Sequence, residues 1–138
     1  MATDALLGGV TAGMGYGVQR LASGMRSGSG LLEAGSWQEA EQAVGARLGV
    51  SKNTSKMFVE GMCSPRVPDF VADDGIYEVK WYSRTSLTRT AQLRDEAALA
   101  KSLGKPFYIV VRQGTRVSPK VFELFEEPRT GKVLRWLR

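Results

Sequence analysis

Arg66-Val67-Pro68-Asp69-Phe70-Val71-Ala72-Asp73-Asp74-Gly75-Ile76-Tyr77-Glu78-Val79-Lys80 is the stretch on which the fold turns. Two β-rich runs flank an Asp-Gly dipeptide, the signature of a hairpin with a type I′ turn. With Asp74-Gly75 as the loop, Asp69 lies opposite Lys80 and Val71 opposite Glu78. Cross-strand partners share a face, and so do residues two apart on one strand. Asp69, Glu78 and Lys80 therefore converge on one face. A four-residue loop, Ala72 to Gly75, pairs Asp69 with Glu78 and gives the same convergence. A three-residue loop does not, so the reading depends on register.

Two carboxylates that meet at the end of a sheet repel each other unless something positive joins them. Mg²⁺, or Mn²⁺ in its place, suits that position, because it prefers oxygen ligands and keeps waters for a substrate phosphate. Such an ion lowers the pKa of a bound water and orients a phosphodiester. Lys80, two residues beyond Glu78, adds positive charge beside the transition state. The set describes a hydrolytic phosphodiesterase site.

Composition supports that chemistry by exclusion. The 138 residues contain no histidine, which removes the Ser-His-Asp and Cys-His triads, the HExxH metalloproteases and the histidine-based nucleases. The single cysteine, Cys63, allows neither an internal disulfide nor a thiolate zinc cluster. A 43% hydrophobic content supports a real core in one domain. The net charge of +5 is uneven. Residues 1–50 carry three basic and four acidic groups, whereas residues 51–138 carry sixteen and ten. The basic part of the chain is thus the part with the carboxylates, and it suits a polyanionic partner.

Outward from the hairpin, residues 1–35 read as a glycine-rich leader with nine of the sixteen glycines, a marginal helix near Asp4–Met25 and a Ser/Gly linker. Arg20 and the glycines interrupt residues 5–25 too often for stable membrane insertion. Order is expected from Ser36, in a domain spanning 36–138. Ser36 and Glu39 form a capping box ahead of a helix with Ala40, Ala43, Val44 and Leu48 on one stripe, ended by Gly49. Lys52-Asn53-Thr54 is a turn, and Met57–Gly61 is a candidate short strand. Thr88–Leu103 reads as a helix with Leu93, Ala97, Ala100 and Leu103 on one face. Phe107–Val111 is apolar enough for a buried central strand. Pro119–Phe125 reads as a short helix, and Val133–Leu137 as a strand or tail helix. The class is α/β, with a mixed sheet flanked by helices in the order α-β-β-β-α-β.

Pro68-Asp69, then eight residues, then Glu78-Val79-Lys80 resembles the PD-(D/E)XK motif of the restriction-endonuclease-like nucleases. Gly35-x-x-x-Glu39, Leu48-Gly49-x-x-Lys52-Asn53-Thr54, Arg66-Val67-Pro68-Asp69 and Thr90-Ala91-Gln92-Leu93-Arg94-Asp95 extend the likeness over about residues 35–112. Together they resemble a restriction-endonuclease-fold family of bacterial polymorphic toxins. The resemblance implies a restriction-endonuclease-like core and a metal-dependent DNase. It implies a toxin delivered as the C-terminal part of a larger secreted effector, acting in the target bacterial cytoplasm and neutralised by a cognate immunity protein. Trp81 departs from the asparagine that often follows the motif's lysine, and no aromatic stands at Cys63–Ser64.

On this reading Asp69 and Glu78 are metal ligands, and Lys80 is catalytic. The backbone carbonyl of Val79 is a further ligand by resemblance. Glu39 matches the first-helix glutamate that often completes such sites, with Glu41 and Glu60 as weaker candidates. Gln92 is expected to hold a phosphate or the attacking water. Arg84, Arg89 and Arg94 are candidate nucleic-acid contacts, with Arg94 and Asp95 read alternatively as an exposed charge pair. Two other functions fit the same residues: a ribonuclease on this fold, and a basic nucleic-acid-binding domain without turnover.

Overall fold

The structure, a computed structural model, describes residues 30–81, 86–125 and 130–138. The expected helix at Asp4–Met25 and the candidate contact Arg84 lie outside the described residues. Helix α1 spans Trp37–Leu48. The Ser36 hydroxyl accepts from the Glu39 N–H at 3.2 Å, and Gly49, at φ 68°, closes the far end as a left-handed cap. Its buried residues are Ala40, Val44 and Leu48, one per turn along a single stripe.

Strands β1 (Phe70–Ala72) and β2 (Gly75–Lys80) form the expected antiparallel hairpin, with Phe70 opposite Tyr77 and Ala72 opposite Gly75. The turn is Asp73-Asp74, not Asp74-Gly75, and the register is the one that the alternative four-residue loop gives. Gly75 is absent from the positive-φ glycines, so it does not supply the conformation a type I′ turn needs. It serves a close approach instead: a Cβ there would stand 2.7 Å from the Tyr108 ring. Shifting the turn by one residue moves the pairing by two, so face parity survives and Asp69 lies across from Glu78.

Next come β3 (Ser86–Leu87), α2 (Ala91–Ser102), β4 (Phe107–Arg112), β5 (Arg116–Val117), α3 (Pro119–Phe122) and β6 (Gly131–Leu137). The order α-β-β-β-α-β holds through β4. The third strand is Ser86–Leu87, however; from Met57–Gly61 only Met57 pairs, in a single bridge to Arg66. The last segment is a strand rather than a tail helix. Leu103, expected on the apolar face of α2, is its C-cap and is exposed.

The main sheet runs β1-β2-β4-β6, antiparallel at β1–β2 and parallel beyond it. β4 is central, and its apolar run is buried from both sides. On one face, Tyr77, Val79 and Val110 pack beneath Ala40, Val44 and Leu48 of α1. On the other, Ile76, Ile109 and Val111 pack with Leu93 and Ala100 of α2. Alternation along β2 thus leaves Glu78 and Lys80 on the α2 face. Leu32 bridges Leu137, so the chain has joined the sheet ahead of Ser36, where the sequence places the start of order.

Gly131 opens β6 at φ 136°, and a Cβ there would fall 1.8 Å from the Phe107 carbonyl oxygen. Gly131→Ala is expected to destabilise the fold by about 3 kcal/mol or more, because backbone strain and overlap add. Gly114→Ala meets no atom within 4 Å and has no positive φ, so it should change little. Urea denaturation of both variants checks this. Equal midpoints would contradict the geometry.

Candidate active site

Asp69 precedes β1 at the sheet edge, and Glu78 lies across from it on β2. Each carboxylate is tied to the other strand's backbone. Asp69 Oδ2 accepts the Val79 N–H at 2.8 Å, and Glu78 Oε1 accepts the Asp69 N–H at 3.3 Å. Both residues are buried, at 7% and 4% exposure. Carboxylates so placed need donors and counter-charges to remain ionised.

Lys80 supplies one of these. Its Nζ stands 3.2 Å from Glu78 Oε2 and donates to Gln92 Oε1 at 3.1 Å. Gln92, in the first turn of α2, turns its amide nitrogen to Glu78 Oε2 at 3.0 Å and to Glu96 Oε2 at 3.3 Å. The amide therefore spans an ammonium and two carboxyl groups. Asp69, Glu78, Lys80 and Gln92, four of the residues expected from sequence, meet in one cluster.

Glu96 was missed. It has no exposed surface, yet it sits one turn beyond Gln92 in the middle of the apolar stripe of α2. Burial first, and then the Glu78 charge, push its carboxyl up to about 9. It is therefore neutral at pH 7. A hydrogen bond joins it to Glu78, while its Oε1 has no hydrogen-bond partner. Burial and the nearby Asp69 charge likewise raise Glu78, against the lowering effect of Lys80 and the Glu96 hydrogen bond. The sequence signal was a lone carboxyl inside a hydrophobic face.

Glu39 does not join this cluster. It is exposed at the start of α1, and its Oε1 accepts the Gly35 N–H at 2.8 Å. Its side chain is engaged in holding the helix end. The first-helix carboxylate that reaches the site is Glu41. Lys52 Nζ bridges Glu41 Oε1 at 3.4 Å and Asp69 Oδ1 at 3.1 Å. Burial and the Asp69 charge raise the Glu41 carboxyl. Burial alone would lower the Lys52 ammonium, but Asp69 and Glu41 outweigh it and hold it above its usual range. Asn53 fixes this turn to the hairpin: its N–H donates to the Asp69 carbonyl at 2.8 Å and its side-chain amide to the Pro68 carbonyl at 3.0 Å. Glu60 is exposed.

The arginines stand elsewhere. Arg94 projects from the face of α2 opposite Gln92, with Nη2 2.9 Å from Cys63 Sγ. Arg89 faces Glu123 at 3.8 Å. Both line a pocket of about 460 Å³ with Lys101 and Lys105, away from the carboxylates. Asp95 is no partner of Arg94. It is buried at 1% exposure, and its Oδ2 takes both Arg66 Nε and Nη2 at 2.8 Å. The Cys63 N–H donates to its Oδ1 at 2.9 Å. These donors outweigh burial and hold the Asp95 carboxyl below its ordinary range. Trp81 lies under the Arg112 guanidinium, 4.7 Å from the ring centroid.

The donor chemistry suits a hard divalent cation. Mg²⁺ is commonly held by one or two carboxylates, with water and phosphate completing its shell, and Asp69 with Glu78 is such a pair. Among the described residues no three Asp, Glu or Cys side chains converge on one point as they stand. Lys52 and Lys80 occupy the intervening positions. Val79 gives its N–H to Asp69, which leaves its carbonyl as the group a cation would use.

The family described as restriction endonuclease fold toxin 7 matches residues 35–121. No curated protein and no solved structure matches.

The Glu96 carboxyl makes stability depend on pH. In the unfolded chain it releases its proton near 4.5, and in the fold near 9. Between those values the unfolded state binds fewer protons, so the native state loses stability as pH rises. Glu96→Gln keeps the shape and lacks this loss. Its melting temperature should therefore gain on the wild type steadily from pH 5 to pH 9. A difference that stays flat across that range would show Glu96 to be ionised in the fold.

Proposed function

The chain belongs to the restriction endonuclease fold toxin 7 family, and on that premise we propose that it is a divalent-metal-dependent nuclease that hydrolyses DNA phosphodiester bonds. The observation that carries this reading is the buried Asp69–Glu78 pair, with the Lys80 ammonium held against it by Gln92. Histidine, the usual proton carrier near neutral pH, is absent from the whole chain.

Asp69 and Glu78, with the Val79 carbonyl, would hold Mg²⁺ or Mn²⁺. A divalent ion bound there supplies Lewis acidity and a more acidic water at neutral pH. The other parts come from the chain itself. Lys80 presents a fixed positive charge beside the carboxylates, where it can hold the attacking water and offset charge on the phosphate oxygens. Gln92 prevents Lys80 from collapsing fully onto Glu78 by giving the ammonium a second, neutral acceptor. Neutral Glu96 braces Gln92 and donates to Glu78, which keeps that carboxylate from turning away. Glu41 enters from α1 on the Asp69 side.

In the family setting the nuclease acts as a toxin against competing bacteria. It travels as the C-terminal part of a larger effector and is restrained in the producing cell by an immunity protein. Among the described residues no helix is long and apolar enough to cross a membrane.

Plasmid DNA and total RNA, each incubated with the protein and Mg²⁺, test the reading. DNA should be cut and RNA spared. EDTA should abolish cutting, and Glu78→Ala and Lys80→Ala should each slow it by about a hundredfold or more. DNA cutting that persists in EDTA or in Glu78→Ala would overturn the proposal. Cutting of RNA alone would reassign the substrate.

A further inference from the structure

We propose that Lys52 is a built-in surrogate cation: it holds Asp69 and Glu41 together while no divalent ion is bound, and it is displaced from Asp69 when one binds. The inference rests on the metal-site reading above and concerns how that site is kept ready.

The argument begins with the two oxygens of Asp69. Oδ2 is committed to the Val79 N–H at 2.8 Å, inside the hairpin. Oδ1 is therefore the oxygen that can turn to a cation, and Lys52 Nζ stands on it at 3.1 Å. The same ammonium reaches Glu41 Oε1 at 3.4 Å. Without it, two carboxylates from different elements would repel each other across a partly buried gap. The α1 end of the site therefore depends on a single charge.

The two lysines differ in how they are held. The Lys80 side chain is 15% exposed, and Gln92 and Glu78 fix its position. The Lys52 side chain is 42% exposed, while the Asp69 side chain it covers is only 9% exposed. A flexible four-carbon stem lets such an ammonium swing into water at little cost. Lys52 thus covers the buried oxygen on its solvent side and remains free to leave. A doubly charged ion at Oδ1 would repel an ammonium at this distance, so the two compete for one place. Lys52 is on this account a positioning residue: it keeps the site assembled and sets the threshold for metal entry.

Lys52→Met keeps the stem and removes the charge; Lys52→Arg keeps the charge. Each full-length variant is titrated with Mn²⁺ by calorimetry, and its melting temperature is read with and without Mn²⁺. Competition predicts that Lys52→Met binds Mn²⁺ at least about fivefold more tightly than the wild type. It should also melt lower without the ion and gain more on adding it. Lys52→Arg should restore wild-type behaviour. A merely structural lysine predicts the opposite sign, weaker binding in Lys52→Met. Equal or weaker binding in that variant, while Glu78→Ala abolishes binding, would overturn this proposal and leave the metal site standing. No binding by the wild type and Lys52→Met alike, or binding that Glu78→Ala does not alter, would overturn both.

Discussion

Where β1 begins, the backbone ladder of the hairpin gives way to a reciprocal exchange between side chains and backbone. Asp69 takes the Val79 N–H, and Glu78 takes the Asp69 N–H. Those two bonds continue the strand pairing one step past Phe70 and place both carboxylates inside it. An acid there cannot turn away without breaking a strand contact. The rest of the site follows from that constraint. Buried negative charge at the sheet edge must be met by cations and donors, and it is: Lys80 comes from β2 itself, Gln92 from α2, and Lys52 from the turn that follows α1.

The charges around the exchange are balanced by protonation as well as by pairing. Four carboxyl groups and two ammonium groups gather, and Glu96 enters as a neutral acid. That lowers the repulsion among the remaining three. A fully ionised set would raise the cost of burial beyond what two lysines offset. The Arg66–Asp95 pair lies outside this balance. It is closed and hydrogen-bonded on every oxygen, and it ties the segment before the hairpin to α2.

The hairpin, both long helices and the central strand were legible in the sequence because each carries a local signal: a period, a cap or an apolar run. The facing of Asp69, Glu78 and Lys80 survived a misplaced turn because the error moved the pairing by two residues. The turn itself was misread because Gly75 is a glycine for the sake of the Tyr108 ring, and that ring arrives from β4. Glu39 and Glu41 look alike from sequence. Two residues apart on a helix, they point about 200° apart, and only the tilt of α1 over the sheet decides which meets Asp69. Glu96 and Lys52 were missed for a related reason. One looks like a defect in an apolar stripe and the other like an ordinary turn residue until β2 and β1 are beside them. The site arises from contacts between elements that no single segment encodes.

The bridge between Leu32 and Leu137 has a spatial consequence. Leu32 donates to the Trp136 carbonyl at 2.7 Å, and the Arg138 N–H donates to the Leu32 carbonyl at 2.9 Å. Leu32 thereby takes a fifth position beyond β6, whereas Asp69 lies at the start of β1, the other margin. Four strand spacings separate the two, roughly 20 Å. Leu32 therefore meets the sheet at the margin farthest in strand order from Asp69.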